Sequence, residues 1–176
     1  MEEQSDVKSV PVRVLSITMI AAIIIMVWIQ FAFPLVIVSG SSIRPTYTNG
    51  ELLISTRSFK VSNLNRNDVI VFSRDGKKKL IKRIIGLPGE TIEVRTSGIF
   101  INGQRYEGEF PDPAIPAGKE ETYTLSDNEF YVLGDNRSVS IDSRSYGPIQ
   151  FDSITAKVTA PFTAFNKVKA WFSKGE

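Results

Sequence analysis

The chain has 176 residues and contains neither cysteine nor histidine. The first absence removes disulfides and thiol nucleophiles, and the second removes Ser-His-Asp triads. Together they remove most zinc and copper sites. A surplus of one charge is lacking too. Lys and Arg number 21 against 19 Asp and Glu, a net charge of +2, so there is no broad basic footprint for nucleic acid. Any catalysis must therefore rest on Ser or Thr, Lys, carboxylates or a hard metal. The length fits one domain or little more.

What the chain does have is a long uncharged run. No charge occurs between Arg13 and Arg44, and Val14 to Val38 is mostly Ile, Val, Ala, Leu, Met and Phe with Trp28 inside it. About 20 apolar residues cross a bilayer core. A cleaved signal peptide has an apolar region of only about 7–15 residues and a small-residue cleavage site, and no Ala-x-Ala follows here. A buried amphipathic helix would show a polar face. The expectation is one uncleaved transmembrane anchor over residues 14–38, behind a short segment 1–13. Lys8 and Arg13 before the run balance Arg44 and Arg57 after it, so basic residues leave the orientation open.

The remainder, residues 39–160, reads as short strands separated by turns, without a long amphipathic helix. Strands are expected at Glu51–Ser55, Val69–Ser73, Leu80–Leu87, Thr91–Val94, Ile99–Ile101, Thr122–Leu125, Glu129–Leu133 and Ile154–Val158. Asn102-Gly103 marks a hairpin, and the three prolines of FPDPAIPAG, Phe110 to Gly118, mark a loop. The expected fold is mainly antiparallel β. In the tail 161–176, Phe162, Phe165, Val168, Trp171 and Phe172 recur at helical spacing among lysines. That pattern suits an amphipathic helix on an anionic membrane and a terminal helix packed on the body equally well.

Three segments carry chemistry. SGSSIRPTYTNG, Ser39 to Gly50, follows the apolar run. Gly40 permits close approach of another backbone, and Pro45 pushes Arg44 toward an extended conformation, so the chain bends sharply between them. A hydroxyl on such a bend can be exposed with its own N–H facing a developing oxyanion. Taken alone, a serine-rich turn before proline explains the segment as well. In LIKRIIGLPGE, Leu80 to Glu90, alternation places Lys82 between Leu80 and Ile84 on one face of a strand. Desolvation there lowers a lysine pKa toward the range of a general base; a lysine that snorkels to solvent is the plainer reading. GDNRSVSIDSRSYG, Gly134 to Gly147, crowds Asp135, Asn136, Arg137, Ser140, Asp142 and Arg144 together. The arginines would compete with a cation, so Asp–Arg pairs and turn hydrogen bonds explain the density better than a metal.

Together these segments resemble the boxes of the bacterial type I signal peptidases of the short, single-anchor Gram-positive kind. The nucleophile box G-x-S-M-x-P-T is similar to Gly40-Ser41-Ser42-Ile43-Arg44-Pro45-Thr46, and the lysine box K-R-V-I-G-L-P-G-D to Lys82–Glu90. The last box, G-D-N-R-x-x-S-x-D-S-R-x-x-G, is met at every specified position from Gly134 to Gly147. The resemblance implies a Ser/Lys peptidase with Ser42 as nucleophile and Lys82 as general base. It implies Ser140 orienting Lys82, an ion pair of Asp142 with Arg144, and the Ser42 N–H facing the oxyanion. Gly40 stands where some relatives place a further hydroxyl donor, and Ile43 stands where Met is usual, which is expected to reshape the edge of the substrate pocket. The implied substrates are exported preproteins whose signal peptides end in a small-x-small pattern. The implied place is the cell membrane, with a cytoplasmic N-terminus and an extracytoplasmic body, and no metal or cofactor is required. A rival reading from another class is a catalytically impaired, membrane-anchored binding module of the same fold. A dedicated signal peptidase, such as one processing pilins, is a narrower enzyme alternative.

Overall fold

The apolar run does not form one helix. In the computed structural model, which describes residues 11–76, 78–111 and 118–163, helix α1 covers Val12–Ala32 and stops. Pro34 accounts for this: it lacks an N–H, clashes with the preceding turn, and biases Phe33 away from helical angles. Phe33 has φ −126° and ψ 70°. The expected anchor of 14–38 is therefore corrected at its end, because Leu35–Ile37 form a strand, β1, and Val38 is buried in the β-domain core. No residue of α1 is buried. Its 21 residues rise about 30 Å, the thickness of a bilayer's hydrocarbon core. The hydroxyls of Ser16 and Thr18 donate back to the carbonyls of Val12 and Leu15, so neither depends on water.

After β1 come β2 (Leu52–Thr56), β3 (Val69–Arg74), β4 (Lys78–Gly86), β5 (Thr91–Arg95), β6 (Gly98–Ile101) and β7 (Gln104–Arg105). Then follow β8 (Glu121–Thr124), β9 (Glu129–Leu133), a single helical turn α2 (Ser143–Tyr146), β10 (Ile149–Gln150) and β11 (Ile154–Pro161). Seven strands form one sheet in the order β1-β2-β11-β3-β4-β9-β10, and four form a second in the order β7-β6-β5-β8. Every pairing is antiparallel, the fold class expected. All eight predicted strands are present, with ends shifted by at most three residues. The strands β1, β7 and β10 were not predicted; two are only two residues long, and β1 was hidden in the apolar run. Asn102 and Gly103 have φ 51° and 78° between the paired Ile101 and Gln104, a two-residue hairpin loop. Residues 112–117 of the predicted proline loop lie outside the described residues, as does most of the tail, from residue 164.

The central position of β4 follows from its side chains. Ile81 packs with Val38, Ile43, Leu53 and Val71; Ile84 packs with Ile70, Phe72, Phe130 and Val132. Ile85 joins Ile92, Val94, Ile99 and Leu133, which seats the small sheet on the large one. One strand thus feeds all three apolar clusters, and Lys82 lies in the middle of it.

Leu53 has no solvent exposure and packs in the cluster that also holds Ile43. Leu53→Ala should cost about 2–5 kcal/mol, read as a lowered unfolding midpoint of the full chain in detergent.

Candidate active site

The turn that presents Ser42 is pinned by buried residues on both sides. Val38 is 1 % exposed and Ile43 is fully buried, and both sit in the same apolar cluster. Ile43 does not line the groove beside Ser42, so the expectation that it reshapes the pocket edge is corrected. A β-branched side chain here anchors the turn to the core. Gly40 also needs correction. No heavy atom lies within 4 Å of where its Cβ would be, so close approach is not its reason. Its φ of +98° is, because that region favours glycine. The Gly40 N–H donates to Asn49 Oδ1 at 2.9 Å, and the turn is closed by Arg44 N–H to the Ser41 carbonyl and Tyr47 N–H to the Ile43 carbonyl, both 3.2 Å. Ser42 is half-buried, and among the described residues its N–H has no hydrogen-bond partner.

Lys82 is 2 % exposed. Its cross-strand neighbour on β3 is Ile70, itself fully buried. Burial, the largest cause, pulls its pKa from 10.5 down to about 8. Asp142 and Asp135 oppose that fall, while Arg144 and Lys78 add to it. Ser39, Ser41, Ser42 and Lys82 all line one groove of about 700 Å³. It runs from the turn to the junction of α1 with β1, where Pro34 and Leu35 line it. No hydrogen bond joins Ser42 to Lys82, and Lys82 makes no side-chain hydrogen bond among the described residues.

The segment after β9 closes over this turn at Gly134. A Cβ added to Gly134 would lie 2.2 Å from Ser140 Oγ and 2.4 Å from the Ser42 carbonyl oxygen. The Asn136 N–H donates to that same carbonyl at 3.0 Å, and Asn136 Nδ2 donates to the Ser41 carbonyl at 3.3 Å. Arg83 pairs with Leu133 across β4 and β9, so the next step of each strand brings Lys82 toward Gly134. Ser140 Oγ is buried there and has no hydrogen-bond partner among the described residues. Asp142, fully buried, accepts from the Gly134 N–H at 3.0 Å and from Arg144 Nε and Nη2 at 2.8 Å each. Ser140, Asp142 and Arg144 do not line the groove, although Val139 and Ile141 beside them do.

Sequence reasoning missed a second polar cluster, built around the buried Asp135. Arg83 Nε and Nη2 donate to Asp135 at 2.8 and 2.6 Å, and the Thr46 hydroxyl donates to Asp135 Oδ2 at 2.5 Å. Arg83 Nη2 also donates to Thr46 Oγ1 at 3.0 Å. Each of the three motif segments contributes one member: Thr46 follows the nucleophile turn, Arg83 follows Lys82, and Asp135 follows Gly134. All three letters were in the quoted segments, but their separations of 37, 52 and 89 residues left the pairing unreadable. Asp135 could equally have taken Arg137, two residues away.

A model of the family described as "Signal peptidase, peptidase S26" matches residues 12–163. The chain belongs to that family. It is 35 % identical over 136 residues to signal peptidase I V of Bacillus subtilis (strain 168), an alignment covering 69 % of this chain and 81 % of that one. It is 29 % identical over 154 residues to signal peptidase IB of Staphylococcus aureus (strain Mu50), covering 77 % and 81 %. A crystal structure of a signal peptidase I from Enterococcus faecalis V583 aligns with a TM-score of 0.46 at 30 % identity, covering 55 % of this chain and 97 % of that one.

Gly134→Ala tests whether the junction holds the turn. The methyl group has no room between Ser140 Oγ and the Ser42 carbonyl, and overpacking of this kind costs about 1–3 kcal/mol. The expected outcome is a folded chain with a slightly lowered unfolding midpoint but a loss of peptidase activity of at least about tenfold, since small displacements at a reacting centre are costly.

Proposed function

We propose that this chain is a membrane-anchored serine endopeptidase that removes signal peptides from exported preproteins after small-x-small sites. The observation that carries the reading is a buried lysine, its pKa drawn down to about 8, sharing a groove with a half-buried serine on a pinned turn. Membership of the signal peptidase family supports the same chemistry.

In this reading neutral Lys82 Nζ takes the proton of Ser42 Oγ as the oxygen attacks the carbonyl carbon after the last small residue. The unpartnered Ser42 N–H faces the oxyanion. The lysine ammonium then protonates the leaving amine, the C–N bond breaks, and an ester to Ser42 remains. Lys82 next deprotonates a water, which attacks the ester. The ester C–O bond breaks, the acyl product leaves as a carboxylic acid, and the Lys82 ammonium returns its proton to Ser42 Oγ. The unpartnered buried hydroxyl of Ser140 holds the amine of Lys82 during these steps. The Asp142–Arg144 pair keeps the Ser140 segment in place, with Arg144 Nη2 also bound to the Arg137 carbonyl at 2.8 Å. Helix α1 anchors the enzyme beside its membrane-tethered substrate, which raises the effective concentration of one for the other. The N-terminus is cytoplasmic and the β domain extracytoplasmic. The groove's edge strand β1 offers unpaired backbone groups for an added peptide strand.

The decisive comparison is cleavage of a preprotein with an Ala-x-Ala site by the native chain and by Ser42→Ala in detergent. Cleavage by the native chain alone is expected, and equal cleavage by both would remove Ser42 from the role. Because the base must be neutral, activity should rise as pH increases through about 8 and should not rise again near 10.5.

Lys82 also makes a prediction about stability. Its folded pKa is lowered, so between about 8 and 10.5 the unfolded chain binds the extra proton and stability rises with pH. Below about 8 the desolvated cation is a full cost to folding. Lys82→Met should therefore abolish cleavage yet stabilise the fold by about 1–3 kcal/mol at pH 7. A lowered unfolding midpoint in that variant would count against a desolvated Lys82.

A further inference from the structure

Every charged side chain lining the groove is a cation. Arg57, Lys78 and Lys79 line it together with Lys82, and among the described residues no carboxylate does. Lys82 is buried, but the other three are exposed. Arg66, Arg83, Arg95, Arg144 and Lys157, which do not line the groove, each meet a carboxylate. Among the described residues, Arg57, Lys78 and Lys79 have no ion pair, side-chain hydrogen bond or ring contact. Their charge is left uncompensated beside an apolar wall that includes Val71, Leu80 and Ile81. A low-dielectric wall next to charges of one sign focuses the field along the cleft.

Position says which part of a substrate meets this field. Lys79 and Lys78 lie three and four residues before Lys82 on β4, or about 10–13 Å along a strand. Arg57 follows β2, and the pairing of Leu35 with Ile54 places it at the end of the sheet where α1 gives way to β1. Pro34 and Leu35 line the same arm of the groove. A substrate whose apolar segment stays in the bilayer enters from that end, so the chain upstream of the scissile bond runs along this arm. At about 3.3 Å per residue, the fourth and fifth residues before the cleaved bond come beside Lys79 and Lys78.

We propose that Arg57, Lys78 and Lys79 form an acid-selecting arm of the groove, favouring a carboxylate side chain at the fourth or fifth residue before the cleaved bond and disfavouring lysine there. The inference rests on the signal-peptidase reading above. Exposed charge pairs are individually weak, so the selection is a several-fold bias rather than a requirement.

The test uses the full chain in neutral detergent and three peptides that share an Ala-x-Ala site and differ only in Asp, Asn or Lys at the fifth residue before the cleaved bond. The expected order of kcat/KM is Asp, then Asn, then Lys, with about three- to tenfold between the extremes at low salt. The spread should lie mainly in KM and shrink as added salt shortens the Debye length. Lys78→Glu combined with Lys79→Glu should reverse the order; if that variant does not fold, the salt dependence of the native chain's preference decides alone. No cleavage of the Asn peptide by the native chain would overturn the peptidase reading itself. Equal cleavage of all three would leave that reading standing and overturn the acid-selecting arm. So would equal cleavage accompanied by lost binding of the double variant to phosphatidylglycerol vesicles, which would assign these cations to lipid headgroups.

Discussion

A carboxylate side chain with no solvent exposure, Asp135, holds the site together. It accepts two hydrogen bonds from Arg83 on β4 and one from Thr46 at the end of the serine turn, while Gly134 beside it bears against the Ser42 carbonyl. A buried ion pair is a weak source of net stability, because desolvating both charges offsets most of their attraction. Its value lies in geometry. A planar guanidinium joined bidentately to a carboxylate fixes the orientation of one against the other, and a third bond from Thr46 fixes the turn relative to both. Three segments far apart in the chain are thereby placed in a common frame, with Ser42 and Lys82 on the groove side of it.

The groove side follows a different logic, in which groups are left unsatisfied. Lys82 is buried among aliphatic side chains without an ion pair of its own. The carboxylate that most opposes the fall in its pKa, Asp142, spends both oxygens on Arg144 and the Gly134 N–H. That division keeps Asp142 from restoring the lysine to a full ammonium. Among the described residues, Ser140 Oγ and the Ser42 N–H are likewise without partners. A fold that satisfies Asp135 and leaves these groups open fixes the frame of the site at one point and accepts unsatisfied groups beside it, a pattern that marks reactive centres more than structural ones.

Much of this was legible in the chain itself. Alternation and turn residues located eight strands, because a strand with one buried face must alternate and a two-residue hairpin with positive φ selects Asn-Gly. The lysine between Leu80 and Ile84 pointed to desolvation before any neighbour was known. The resemblance of three short segments pointed to the family. Readings that turned on local backbone fared less well. Sequence suggests close approach at Gly40 where the left-handed φ is the reason, and suggests a pocket-edge role for Ile43 where the side chain is a core anchor. The apolar run hid β1, since hydrophobicity alone does not separate an exposed apolar helix from an edge strand that lies against a groove.

By itself, then, the sequence determined the fold class, the apolar helix and the residue types available for chemistry, because these depend on periodicity, run length and composition within a few residues of each position. Only the tertiary structure decided which charges meet. Asp135 takes Arg83 rather than the nearby Arg137, Asp142 takes Arg144, and Arg57, Lys78 and Lys79 gather unpaired along one arm of the groove. Ion pairs form between groups brought within a few ångströms by sheet order and register, and no local pattern records a partner 52 residues away.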